Sequence, residues 1–168
     1  LLGYHAENRS LMPWMGTFHS ICVRLLRIDG EQIGVPRSFV IFDETDRLSA
    51  VKSICKEQSV DEKSFTPRAI ASLISSAKNE LIDEEEYASL AQTPIAHVAA
   101  KVYKRYQAVL REAKALDFDD LISKAVFLLS SQAPVRQRWQ GQFTHIMIDE
   151  YQDTNAAQYK LVKLLTGQ

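Results

Sequence analysis

A predominantly helical α/β fold is predicted for this 168-residue chain by three observations. Two short β-branched and aromatic runs, residues 38–42 and 144–148, each pass directly into helical sequence. Nearly everything between them carries apolar residues at helical spacing. Two Thr-Pro pairs, Thr66-Pro67 and Thr93-Pro94, mark helix starts inside that stretch, with the hydroxyl at N-cap and the proline at the first helical position. Strand-then-helix units at both ends read as parts of an α/β sheet, and the middle reads as a helical insertion.

Taken in order, Thr17 is placed to cap a first helix whose apolar stripe is Phe18, Ile21, Cys22, Leu25 and Leu26, with Gly30 as its stop. Ser38 to Phe42 reads as a buried strand, and Asp43 to Asp46 offer caps for a helix running to about Gln58. After Thr66-Pro67 the stripe is Ile70, Leu73, Ile74, Ala77 and Leu81. After Thr93-Pro94 it is Val98, Val102, Tyr106, Val109 and Leu110. Between them Asp83 to Glu86 open a short acidic helix, their carboxylates suited to a helix N-terminus. Asp117 and Asp120 hold capping-box positions ahead of Leu121, Ile122, Ala125, Leu128 and Leu129. Thr144 to Ile148 is predicted as a second strand that ends in Asp149-Glu150, and a helix restarts after Asn155.

The composition, 46% apolar and 24% charged, is that of a soluble globular protein. No apolar run approaches the ~18 residues of a membrane span, so no membrane partner is expected. Leu1 to His5 lack the basic region and cleavage site of a signal peptide, and the missing initial Met suggests a piece of something larger. Cys22 and Cys55 fall on apolar helical faces without metal-type spacing and read as buried free thiols, which fits a reducing, cytoplasmic setting. A net charge of −1 means that any DNA contact must come from a local patch.

The strongest chemical signal is the run from Ile146 to Asn155, where an apolar segment delivers two adjacent carboxylates at the end of a strand, the place where open α/β sheets bind ligands. In a nucleotide hydrolase Asp149 would hold Mg²⁺ through water and Glu150 would orient or deprotonate the attacking water. An Asp-Glu pair also ends many ordinary strands. Read by themselves, Thr17 is simply a good N-cap, and Phe18 is more often core than a base-stacking platform. A cationic face is expected at Lys101, Lys104 and Arg105, one helical turn apart with Tyr103 and Tyr106 interleaved; a solvated helix face is the plainer alternative. His5, His97 and His145 lack ligand-like spacing.

The longer string from Asp149 through Tyr151, Gln152, Asp153 and Thr154 to Asn155 resembles motif II, the Walker B segment, of the UvrD/PcrA/Rep family of superfamily 1 DNA helicases. Gly16 to Ser20 resembles that family's TFHS motif, and Leu116 to Leu121 its LDFDDL segment, in the family's order. Ser76 to Glu80 is similar to a stretch of its inserted helical subdomain. The resemblance implies a RecA-like P-loop motor domain (1A) over residues 1–45 and 115–168 and an inserted helical subdomain (1B) over 46–114. It implies an ATP- and Mg²⁺-dependent 3′-to-5′ helicase of repair or replication whose partners are single-stranded DNA, duplex DNA and the remaining helicase domains. Thr17, Phe18 and His19 would then meet the single strand. Lys78, Lys101, Lys104 and Arg105 would meet duplex phosphates, and Gln152 and Asp153 would serve the nucleotide site or its coupling.

One departure bears on activity: the Gly-Lys-Thr phosphate loop of the family should precede residue 1 and does not occur in the sequence. The excised chain is therefore expected to be inactive as an ATPase, and a sheet lacking its first strand is expected to invite self-association. Two other readings stay open. One is a non-enzymatic DNA- or protein-binding module. The other is a two-metal nuclease built on Asp117, Asp119, Asp149 and Glu150.

Overall fold

The computed structural model describes residues 14–167. Helix α1 spans Phe18–Asp29, and Thr17 caps it by accepting the Ser20 N–H at 3.2 Å. The run does not stop at Gly30. A 3-10 turn over Gly30–Ile33 continues it, and Gly34, at φ 78°, supplies the left-handed residue that ends it. A Cβ at Gly30 would lie 3.2 Å from the Val35 carbonyl oxygen, so a larger residue there would press on the following loop.

Strand β1 covers Val40–Phe42, and helix α2, Glu44–Glu57, opens on a full capping box made by Asp43 and Asp46. Helices α3 (Pro67–Asn79), α4 (Glu84–Leu90) and α5 (Pro94–Glu112) start at the caps Thr66, Asp83 and Thr93. Strand β2, Ala115–Asp117, then returns parallel to β1, with Val40 opposite Ala115 and Phe42 opposite Asp117. Parallel strands require a crossover, and here α2 to α5 form it. The Asp117–Asp120 capping box opens α6 (Phe118–Ser131), followed by α7 (Ala133–Gln142) and by α8 (Ala156–Thr166), which Asn155 and Gln158 cap reciprocally.

Residues 144–148 correct the expectation of a second strand there: no ladder forms, and Met147 is 95% exposed. Strand geometry is stabilised by neighbours, and the β1–β2 pair does not extend to this segment. The actual second strand, β2, was not anticipated.

Two hydrophobic cores lie on either side of the strands. The first gathers Leu25 and Leu26 of α1, Phe39, Leu121, Leu128 and Leu129 of α6, Trp139 of α7 and Leu161 of α8. The second gathers Val51, Ile54, Ile70, Ile74, Val102, Tyr103 and Tyr106 from α2, α3 and α5. Tyr103 and Tyr106 thus belong to the interior rather than to the cationic face of α5. Both cysteines are buried free thiols, and burial pushes the Cys22 thiol up to about 12. His97 and His145 join no metal-competent cluster among the described residues, whereas His5 lies outside them. No helix among the described residues is long and apolar enough to cross a membrane.

Candidate active site and nucleic-acid interface

The loop from Thr144 to Asn155 is anchored at both ends. Ile146 packs against the first core, and beyond Asn155 the buried Ala157, Leu161 and Leu165 seat α8 on the same core. Between these anchors Asp149 and Glu150 are exposed. The Glu150 N–H donates to Asp149 Oδ1 at 3.0 Å, and Glu150 adopts φ 49°, a left-handed conformation that few non-glycine residues take. Such strain concentrates where a side chain must be aimed. A 3-10 turn, Tyr151–Asp153, follows, and it leaves Gln152 and Asp153 exposed beside the acid pair in sequence.

The acid pair fits one kind of metal binding. Among the described residues no cluster of three or more His, Cys, Asp or Glu could cage an ion. A single exposed carboxylate suits Mg²⁺ that keeps most of its waters and is shared with nucleotide phosphates. The nuclease alternative fares differently, because two of its four carboxylates are occupied internally. Asp117 faces Lys78 and Tyr106, and Asp119 accepts from Arg47 and Ser75 at 3.1 and 2.7 Å.

The two motif-like segments at Gly16–Ser20 and Leu116–Leu121 meet in space. The His19 ring stands edge-on to Phe118, centroids 5.6 Å apart at 82°, and both rings reach the surface. Thr17 is exposed at the helix start and Phe18 packs partly into the first core.

Lys78 corrects an expectation. Its ammonium lies 2.7 Å from Asp117 Oδ2 and 2.9 Å from Asp120 Oδ1, and the residue is 2% exposed, so it cannot reach a duplex phosphate. The Tyr106 hydroxyl donates to the same Asp117 oxygen at 2.9 Å. Burial by itself would lower the Lys78 pKa, but the two carboxylates reverse this and hold it above its ordinary value. Burial would likewise raise Asp117; the Lys78 charge and its hydrogen bonds instead keep that carboxyl below the usual range. Asp120 goes the other way, raised by burial and by the neighbouring Asp117 charge against the pull of Lys78. The signal for burial was in the sequence: Lys78 stands four residues after Ile74 and eight after Ile70, on the apolar stripe of α3.

On α5, Lys101 and Lys104 are exposed and Arg105 is partly so. Lys104 pairs with Glu85 at 2.7 Å, and Arg105 with Glu57 and Glu112 at 3.2 and 3.0 Å. The face is therefore interleaved with acids from α2, α4 and α5. A second groove, not legible in the sequence because its charges come from two helices, is lined by Glu44, Arg47 and Lys52 of α2 and by Arg68, Ser72 and Ser75 of α3, with Arg47 already paired to Glu44 and Asp119.

Residues 4–168 match the UvrD/REP helicase N-terminal domain. The chain is 48% identical over 152 residues to the ATP-dependent DNA helicase PcrA of Bacillus subtilis, covering 90% of this chain and 21% of that protein. It is 44% identical over 168 residues to PcrA of Staphylococcus aureus, covering 100% of this chain and 22% of that protein. The chain thus spans about a fifth of the length of these curated relatives. With the match running from residue 4 to the last residue, the chain belongs to the UvrD/REP helicase N-terminal domain family.

Proposed function

We propose that this chain is part of the motor of an ATP-dependent DNA helicase that translocates 3′ to 5′ on single-stranded DNA. The observation that carries the reading is the exposed Asp149-Glu150 pair, delivered on a loop pinned at both ends with Glu150 held in a left-handed conformation. Asp149 would hold Mg²⁺, which when bound neutralises charge on the nucleotide phosphates. Glu150 accepts a proton from the attacking water and orients it, and Gln152 and Asp153 lie close enough in the chain to sense the nucleotide state. Adenosine triphosphate and Mg²⁺ are the cofactors of the whole protein in this reading.

The first core, with residues 1–45 and 115–168, corresponds in this reading to part of the RecA-like 1A domain, and 46–114 to the inserted 1B subdomain. The division of the buried residues supports it: one core draws on residues 22–39 and 116–165, the other on residues 51–115. Thr17, Phe18 and His19 face the single strand, with Phe118 beside His19. Lys101, Lys104 and Arg105 face the duplex.

The test is made in the full-length protein that contains this chain. Glu150→Gln should retain Mg-ATP binding while turnover falls by ~10²–10⁴-fold, the scale of a lost general base. Asp149→Ala should weaken Mg-ATP binding as well. Stopped-flow nucleotide binding and steady-state ATPase assays read both. Unchanged hydrolysis in Glu150→Gln would remove Glu150 from the chemistry.

A further inference from the structure

We propose that Asn79, on the helical insertion, is a positioning residue for the hydrolysis loop and acts on it through Asn155. The inference rests on the assignment of Asp149 and Glu150 above. Its basis is a directional chain of hydrogen bonds crossing from one core to the other. The Asn155 amide donates from Nδ2 to Asn79 Oδ1 at 2.8 Å. Asn79 Nδ2 in turn faces Asp119 Oδ1 at 3.4 Å. Asp119 Oδ2 accepts from Arg47 Nη1 at 3.1 Å and from Ser75 Oγ at 2.7 Å. Helices α2, α3 and α6 thus meet at one carboxylate, and Asn79 links it to the N-cap of α8.

The polarity of this chain is not free. A carboxylate only accepts, so Asp119 compels the Asn79 amide to turn its NH₂ inward and its oxygen toward Asn155. Asn155 must answer with its NH₂, which leaves its own oxygen to accept the Gln158 N–H at 2.9 Å and start α8. The same Asn155 closes the loop that begins at the acid pair. Asn79 is the last residue of α3, and immediately beyond it Leu81, at φ 62°, packs against the first core while the buried Lys78 clamps the helix to Asp117. A shift of α3 is therefore delivered to the end of the hydrolysis loop through a short, oriented linkage. Asn79 touches no reacting atom, and its effect is on where the loop sits.

The experiment uses the full-length protein and reads single-strand-stimulated kcat, the KM for ATP, and Tm. Asn79→Ala and Asn155→Asp are each expected to lower kcat by about 5-fold, the scale of a broken pairwise coupling, with KM for ATP nearly unchanged. Asn155→Asp keeps an oxygen for the α8 cap and sets an acceptor, in place of the donor, against Asn79 Oδ1. Asp119→Asn combined with Asn155→Asp reverses the polarity of both Asn79 links, because the Asn79 amide can then flip and satisfy both neighbours while Arg47 and Ser75 still donate to the residue-119 oxygen. That double variant is expected to recover kcat to within about twofold of wild type, although Asp119→Asn alone lowers it. A purely structural role would lower Tm without a change of kcat below the melting range. Wild-type kcat in Asn79→Ala and Asn155→Asp beside an inactive Glu150→Gln overturns the proposal alone, as does a double variant no better than its worse single. Turnover preserved in Glu150→Gln overturns the loop assignment and this proposal with it. Should Asn79→Ala fail to fold, the comparison of Asn155→Asp with the double variant decides by itself.

Discussion

Lys78 Nζ lies 2.7 Å from Asp117 Oδ2, with both side chains almost wholly removed from solvent, and this contact ties α3 to the N-cap of α6. Asp117 is at once the last residue of β2, the N-cap of α6 and the acceptor for Lys78 and Tyr106. Losing one member of such a buried pair leaves the other charge without compensation. Lys78→Ala should therefore destabilise the protein by about 3–5 kcal/mol, read by chemical denaturation at neutral pH. A loss under about 1 kcal/mol would mean that water reaches the pair and solvates Asp117 in its place.

Asp117 and Asp120 are expected to behave unequally when neutralised. Asp117→Asn removes the better-bonded carboxylate and should approach the cost of Lys78→Ala. Asp120→Asn removes a charge that burial and Asp117 already oppose, and it should cost about 1 kcal/mol or less. The pH dependence follows from the two directions. The Asp117 pKa is depressed, so its contribution is fully present above the unfolded value near 3.9 and is lost as pH falls through the lower folded value. The Asp120 pKa is raised, so its contribution is complete at acid pH and is lost as pH rises from about 4 through the higher folded value. Denaturation midpoints across pH 2–7 should thus lose their upper-range decline in Asp120→Asn and keep the acid loss. Equal costs for the two substitutions would refute the asymmetry.

The parts of this fold that were legible in the sequence are those whose causes are local. Thr66-Pro67, Thr93-Pro94 and the Asp117–Asp120 box mark helix starts because each satisfies backbone N–H groups within three residues. Strand β2 could not be read this way: Ala115, Leu116 and Asp117 become a strand only by pairing with Val40, Ile41 and Phe42 across four helices. Residues 144–148 show the converse, a β-branched run without a ladder. In the site, Asp149 and Glu150 were visible as a carboxylate pair at the end of an apolar run. The role of Asn79 was not, since its partners Asp119 and Asn155 stand 40 and 76 residues away. Lys78 was misjudged by chemistry rather than by pattern, its charge outweighing a position on the buried stripe.

The isolated chain provides a direct check on the phosphate loop. No Gly-Lys-Ser/Thr segment occurs in its sequence, and that loop supplies the backbone N–H groups and lysine that cradle nucleotide phosphates. Isothermal titration of the isolated chain should show no tight Mg-ATP binding, and phosphate release should match a protein-free control. Micromolar affinity would locate nucleotide binding elsewhere in the chain.

The cations of the α5 face differ in how far acidic neighbours neutralise them. Lys104 and Arg105 already hold Glu85, Glu57 and Glu112, whereas Lys101 is exposed and enters no ion pair among the described residues. A phosphate approaching this face competes with carboxylates for Lys104 and Arg105 but meets Lys101 free of that competition. In the full-length protein, Lys101→Ala should weaken duplex binding for all sequences alike and flatten the log-log salt dependence by roughly one unit. Lys104→Ala and Arg105→Ala should each change the slope by less, because displaced carboxylates offset part of the gain. The triple variant should unwind duplex poorly while keeping most of its single-strand-stimulated ATPase, since Thr17 to Ser20 stay intact. Duplex affinity over a salt series, measured beside unwinding, distinguishes the cases. Wild-type affinity and slope in the triple variant would reduce the stripe to a solvated face whose charges serve Glu57, Glu85 and Glu112 alone.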